Sequence, residues 1–395
     1  MSGFSASVAV DPSSTALTRV GVLGIAWRMP SQEQHYDLVD LKGLTPSAVR
    51  RAGGVPRLQW SRDGQTMETD FARFRPVGLS FSRSDISAIT WRDFGDLPMN
   101  DPFFKVSLEK AEALPYGSDL FKTDLDILTA LANRPDLLPF SGVIFHMART
   151  GSTLIHRLMA CTGKVQSLSE IGMLDRALQV TQNWDADQRA RMMRDIVGGF
   201  RLPRRPSERH FVTKMTDSGA SIRLPHFRSA FPHVPWIFVY RDPVEVIVSL
   251  LRKPTGNIDG WYKNRAAAAR RLGMPAVRDP AMWPAEFVAR TLERFCQAAV
   301  ETARMTPQGL FLAVHYSRLP QAIWETIGPH FGVEFTSEEI DLMRAEARFS
   351  SKKTDASEFR PDSDSKLEEA TPAMKRLAER FVGPVIEDLK RLPQA

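Results

Sequence analysis

Residues 143–159, VIFHMARTGSTLIHRLM, read as a short apolar strand, a tight turn of small polar residues and the start of a helix. In that layout the backbone amides of Thr150, Gly151, Ser152 and Thr153 point into a turn at a helix N-terminus. Free N–H groups and the helix dipole favour an anion there. Gly151 lets the backbone approach closely, and Arg149 adds a fixed charge. The turn departs from the GxxxxGKS/T pattern of nucleoside triphosphate sites, because no glycine opens it and an arginine sits inside it. Taken alone it is equally an ordinary strand-to-helix turn.

A second stretch, residues 235–251 (PWIFVYRDPVEVIVSLL), reads as a strand ending in Arg241 and then a helix. Asp242 is its expected N-cap, Pro243 takes the first helical position and Glu245 is the capping-box acid. Val244, Ile247, Val248 and Leu251 would form the buried face, which aims Arg241 from a strand end and leaves Ser249 two turns along the helix. A third pattern, EQHYDLV, sets His35 and Asp37 at the spacing of non-haem iron sites, but the next histidine is His146, so no metal centre is expected. His156 falls beside the apolar stripe Leu154, Ile155, Leu158 and Met159 and reads as a packed side chain.

These residues must be held by regular elements. From Ser141 onward, GVIFHM, HFVTKM, PWIFVY and GLFLAVHY alternate with helical segments, the pattern of a parallel sheet covered by helices, whose ligands bind at the carboxyl ends of the strands. Upstream, RVGVLGIAW, YDLVDL, RLQWS and VGLSFS suggest strands and turns. A helix capped by Asp101, with Pro102 at its first position, and a second amphipathic helix over SDLFKTDLDILTALAN follow. The division expected is an accessory region over residues 1–135, β-rich and then two helices, followed by a domain over residues 136–395. The polar stretch before the closing helix reads as a lid or a mobile loop.

Bulk properties narrow the function. With 395 residues the chain can bury a full core. A net charge of +6 and a pI near 9.4 without long blocks of like charge suit a small anionic ligand better than nucleic acid. Cys161 and Cys296, both among apolar neighbours, read as reduced core residues. No basic leader, secretory core or apolar run of roughly 20 residues is present, so a cytoplasmic protein without a membrane span is expected.

Together the two motifs resemble the 5′-phosphosulfate loop and the 3′-phosphate segment of sulfotransferases that use 3′-phosphoadenosine 5′-phosphosulfate (PAPS). That family's loop has a basic residue, a hydroxylated residue, Gly and two hydroxylated residues, matched by Arg149, Thr150, Gly151, Ser152 and Thr153; its Arg and Ser match Arg241 and Ser249. In the same order follow Glu170 in SLSEIGML, Lys214 in VTKMTD and Tyr316 in AVHYSRL. The resemblance spans residues 139–391 and implies the P-loop nucleoside triphosphate hydrolase-like sulfotransferase fold. It implies that Arg149 and the loop bind the 5′-phosphosulfate, that Arg241 and Ser249 read the 3′-phosphate, that Tyr316 contacts adenine and that Lys214 stabilises the leaving phosphate. PAPS would serve as co-substrate, without a metal, for a small-molecule, glycan or peptide acceptor.

The usual family base is missing, since Thr216 and Ser218 stand where relatives carry histidine. Glu170 takes that role by resemblance to tyrosylprotein sulfotransferases, with Asp217 as the second candidate. Lys352 and Lys353 lie where the family often closes a basic cluster over the nucleotide, although the accompanying glycine is missing. Two alternatives stay open. A P-loop kinase would need a strand-end Asp for Mg²⁺, and Asp242 is the only one, in a capping context. A catalytically silent nucleotide-binding scaffold would explain the missing histidine.

Overall fold

The computed structural model describes residues 39–40, 57–62, 65–82, 85–114, 120–217, 223–272, 284–349 and 363–395. His35, Asp37, Lys352 and Lys353 lie outside them, as does the RVGVLGIAW stretch. The N-terminal part contains β1 (Val39–Asp40), the hairpin β2 (Arg57–Arg62) and β3 (Gln65–Asp70), β4 (Phe74–Ser82), β5 (Asp85–Asp93), α1 (Phe104–Glu112), β6 (Leu120–Thr123) and α2 (Leu125–Ala132). Strands β1, β6, β5 and β4 form a four-stranded sheet in that order, antiparallel except between β1 and β6.

Two helix expectations are corrected here. α1 starts at Phe104, not after Asp101, and the Asp101 carboxylate instead accepts from Ser107 Oγ at 2.9 Å and pairs with Lys110 Nζ at 2.5 Å. The expected second helix is split. Leu120–Thr123 is recruited as a strand by β5, and only after Asp124, whose side chain accepts from the Ile127 amide, does α2 begin.

The parallel sheet is as expected and has five strands. It comprises β7 (Phe140–His146), β8 (Val165–Ser169), β9 (His210–Lys214), β10 (Trp236–Tyr240) and β11 (Phe311–His315), in the order β11-β10-β7-β9-β8. β8 was not among the expected strands. The connecting helices are α3 (Ser152–Cys161), α4 (Gly172–Val180), α5 (Ala186–Phe200), α6 (Leu224–Ala230), α7 (Pro243–Arg252), α8 (Gly256–Lys263), α9 (Arg265–Leu272) and α10 (Pro284–Arg304). In β10 the side chains alternate: Trp236, Phe238 and Tyr240 enter one apolar cluster and Ile237 and Val239 the other, all of them buried. Burial on both faces is what a helix-covered parallel sheet requires.

The N-terminal sheet shares the first of these clusters. Phe71, Trp91, Phe94 and Phe104 pack with Phe200 of α5 and the strand residues Val143 and Phe145. Arg75 of β4 is fully buried and donates to Gln166 Oε1 of β8 at 3.2 Å and to the Leu202 carbonyl at 2.8 Å, which pins that sheet beside the parallel one. At the α2–α5 crossing a Cβ on Gly198 would lie 2.5 Å from Ala132 Cβ, so only glycine permits so close an approach.

Candidate active site

Each strand of the parallel sheet delivers one candidate residue or loop at its carboxyl end. In sheet order these are Tyr316 after β11, Arg241 after β10, residues 147–151 after β7, Lys214 closing β9 and Glu170 after β8. With strands about 4.8 Å apart, the row from Arg241 to Glu170 spans roughly 14 Å.

The central loop has an unusual backbone. Ala148, Arg149 and Gly151 all take positive φ, +77°, +53° and +77°. For a non-glycine residue that region costs roughly 1–2 kcal/mol, so neighbouring groups must hold it. His146 does part of this work: Nδ1 accepts from the Ala148 amide at 3.1 Å, while Nε2 meets the Met215 carbonyl at 3.1 Å. The Met147 amide donates to the Val239 carbonyl at 3.2 Å. Gly151 precedes the first turn of α3, and a Cβ there would stand 3.0 Å from Leu319 Cδ1 and 3.1 Å from the Tyr316 ring. Thr150 is fully buried, and among the described residues its hydroxyl has no hydrogen-bond partner. Ser152 and Thr153 open α3, both buried.

Arg241 lies beside this loop. Its guanidinium sits 4.1 Å from the centre of the Tyr316 ring, donates to the Arg149 carbonyl at 3.5 Å and pairs with Glu245. The capping assignment of Glu245 is therefore corrected. Asp242 alone caps α7, accepting from the amides of Val244 at 2.8 Å and Glu245 at 3.4 Å. The buried face of α7 is also shifted, to Val246, Ile247, Val248 and Leu250. Arg149 reaches the far end of the same helix and donates to the Lys253 carbonyl; Lys253 in turn donates its amide to the Ser249 carbonyl at 3.1 Å. Arg149, Arg241 and half-buried Ser249 thus belong to one neighbourhood.

At the other end of the row Lys214 and Glu170 form an ion pair in which the lysine side chain is 1% exposed and the glutamate 31%. Ser169 and Lys214 are register partners, and the Glu170 amide donates to the Lys214 carbonyl at 2.8 Å. Glu170 takes φ +56°, which turns the chain back over the strand end. Asp217, also buried, follows on the β9 side. Nearby, burial pushes the Asp175 carboxyl up to about 7; the Thr216 hydroxyl opposes the shift and the Glu170 charge reinforces it.

Two features escape sequence reasoning. One is Asp175, an unremarkable residue in the first turn of α4. The other is Phe103, from the N-terminal part, whose ring centre lies 5.8 Å from Lys214 Nζ. A strand β8 recognised in VQSLS would have pointed to the first through its carboxyl end. Nothing local signals the second.

Among the described residues no group of His, Cys, Asp and Glu could hold a metal ion, and no helix is long and apolar enough to cross a membrane. His156 is buried as expected, with Nδ1 2.8 Å from Ser167 Oγ and Nε2 2.8 Å from the Asp101 carbonyl. Cys161 and Cys296 are free, and burial pushes both thiols up, Cys161 to about 12.

No protein-family model matches the chain, and no curated protein is significantly similar to it. Solved structures do resemble it. The sulfotransferase domain from the curacin biosynthetic pathway aligns over 62% of this chain and 98% of its own, at 13% identity and a TM-score of 0.34. A sulfotransferase from Mycobacterium tuberculosis aligns over 63% of this chain and 78% of its own, at 16% identity and 0.38. A retinol dehydratase solved with androsterone and the inactive cofactor PAP aligns over 69% of this chain and 86% of its own, at 16% and 0.35.

Proposed function

We propose that the chain is a sulfotransferase that moves a sulfuryl group from PAPS to a hydroxyl or amine acceptor. The observation that carries this reading is the row of strand-end groups: the loop of positive-φ residues in the middle, Arg241 over Tyr316 on one side, and Lys214 with Glu170 on the other. Such a row suits a ligand with anionic groups at two separated points.

The residues fit that ligand. Among the described residues no side chain caps the α3 N-terminus and the buried Thr150 hydroxyl has no partner, while Gly151 keeps the backbone accessible beside Tyr316. Two cations at the strand ends pair with carboxylates, Lys214 with Glu170 and Arg241 with Glu245. In this reading PAPS supplies the activated sulfuryl group. Arg149 and the amides of residues 150–153 hold the 5′ end, Arg241 and Ser249 hold the 3′-phosphate, and the Tyr316 ring lies against adenine. Lys214 parts from Glu170 to neutralise the leaving phosphate. The freed Glu170 carboxylate accepts the acceptor's proton, a contribution of about 100-fold to 10,000-fold. Fixed cations suffice because a sulfuryl group carries less charge than a terminal phosphoryl group, which normally needs Mg²⁺. Residues 136–395 form the transferase domain and residues 1–135 an accessory region; two free cysteines fit a cytoplasmic location.

Calorimetry with adenosine 3′,5′-bisphosphate (PAP) and adenosine 5′-monophosphate tests the reading. A charge-assisted pair from Arg241 to the 3′-phosphate is worth about 1.5–3 kcal/mol, so PAP should bind roughly 10-fold to 150-fold more tightly, and Arg241→Ala should erase the difference. Equal affinities in the wild type would refute it.

A further inference from the structure

We propose that Phe103, supplied by the N-terminal region, is the water-excluding wall of the transfer centre. This rests on the sulfotransferase reading above. Lys214 closes β9 between Ile144 of β7 and Ser169 of β8, so its backbone is enclosed by the sheet. Its side chain nevertheless reaches the carboxyl edge, where ligands arrive, and is still only 1% exposed. The Glu170 carboxylate covers one side of the ammonium but is itself 31% exposed, and the Phe103 ring lies 5.8 Å from the nitrogen.

The position of that ring is built, not incidental. Phe103 is in extended backbone, φ −143° and ψ 141°, immediately before the first residue of α1. Phe104 enters the core between Phe94, at 5.6 Å, and Phe200, at 5.7 Å between ring centres. Before them, Pro102 is buried and the Asp101 carbonyl accepts from His156 Nε2. His156 belongs to α3, the helix whose first turn forms the anion loop. The N-terminal segment is thereby fastened to the same helix that would hold the donor.

The consequence is chemical. Water is the smallest competing acceptor: its oxygen forms the new S–O bond, the bond from sulfur to the 5′-phosphate oxygen breaks, Glu170 takes the proton, and PAP and sulfate leave. An apolar ring beside the Lys214 ammonium leaves a water there without hydrogen-bond partners on one side, and so suppresses this loss.

The test needs no acceptor. Wild type, Phe103→Ala and Phe103→Leu are incubated with radiolabelled PAPS alone and sulfate release is measured, while calorimetry gives the PAP affinity of each. Phe103→Ala should raise sulfate release about tenfold or more with PAP affinity within about twofold, and Phe103→Leu, which keeps most of the volume and the fold, should give a smaller rise. A merely structural role would lower both readouts. Unchanged or reduced sulfate release in both variants, with PAP still bound, overturns the proposal alone; failure of the wild type to bind PAP overturns the sulfotransferase reading and this proposal with it.

Discussion

Acidification should loosen the link between the N-terminal segment and α3, and His156 sets how much. This imidazole is fully buried, and burial lowers its pKa to about 4, with the Asp101 carbonyl opposing and the Lys214 and Arg157 charges reinforcing the shift. An unfolded histidine titrates at about 6.5. As pH falls below that value the unfolded chain takes up a proton that the folded chain refuses, so stability is lost progressively from pH 6.5 down to 4 and is complete above it. Between pH 7 and pH 5 the loss amounts to about 2 kcal/mol at 1.36 kcal/mol per pKa unit, or about 2 °C in Tm for a chain of this length. The assay is the urea midpoint and Tm at both pH values for wild type and His156→Gln, which keeps a donor and an acceptor but does not titrate. The partly buried His210, His226, His315 and His330, whose pKa values are also lowered by burial, act equally in both proteins and cancel. The wild type should lose about 2 kcal/mol more than the variant over this interval. Equal losses would refute the reasoning and mean that the ring charges inside the fold at little cost, for instance by turning the Ser167 hydroxyl into an acceptor.

Two further outcomes are expected. Glu170→Gln should lower kcat about 100-fold or more with nearly unchanged PAP affinity, since Arg241 stands about three strand spacings away; it should also lower Tm, because Lys214 loses its counter-charge. Asp217→Asn is the control, and a loss of turnover there with none in Glu170→Gln would pass the role of base to Asp217. Gly151→Ala should cost about 1–2 kcal/mol of stability, from φ +77° and contacts at 3.0–3.1 Å, and should weaken PAP binding by displacing the Tyr316 ring; unchanged PAP affinity would separate this glycine from the site.

The amino-acid sequence by itself determined the two local units that frame the site. Strand, turn and helix over β7–α3 and β10–α7 follow from an apolar run, a small-residue turn and a capping signal, all within about 17 consecutive residues, and no distant partner is needed to read them. The alternation of strands and helices likewise carried the parallel sheet. What only the tertiary structure decided involves partners far apart in the chain. VQSLS is a strand because Arg75 and the Phe200 carbonyl satisfy Gln166 inside the protein and His156 satisfies Ser167, so residues that look polar in sequence are buried. Leu120–Thr123 leaves its expected helix because β5 offers it a ladder. Glu245 abandons the helix end because a strand-end arginine, Arg241, offers it a charge. Phe103 meets Lys214 across more than a hundred residues through a core that joins the two parts of the chain. Short-range propensity is written in neighbouring residues, whereas the partner of a buried polar or charged group is chosen by the whole fold, and the chemistry of this site lies in those partners.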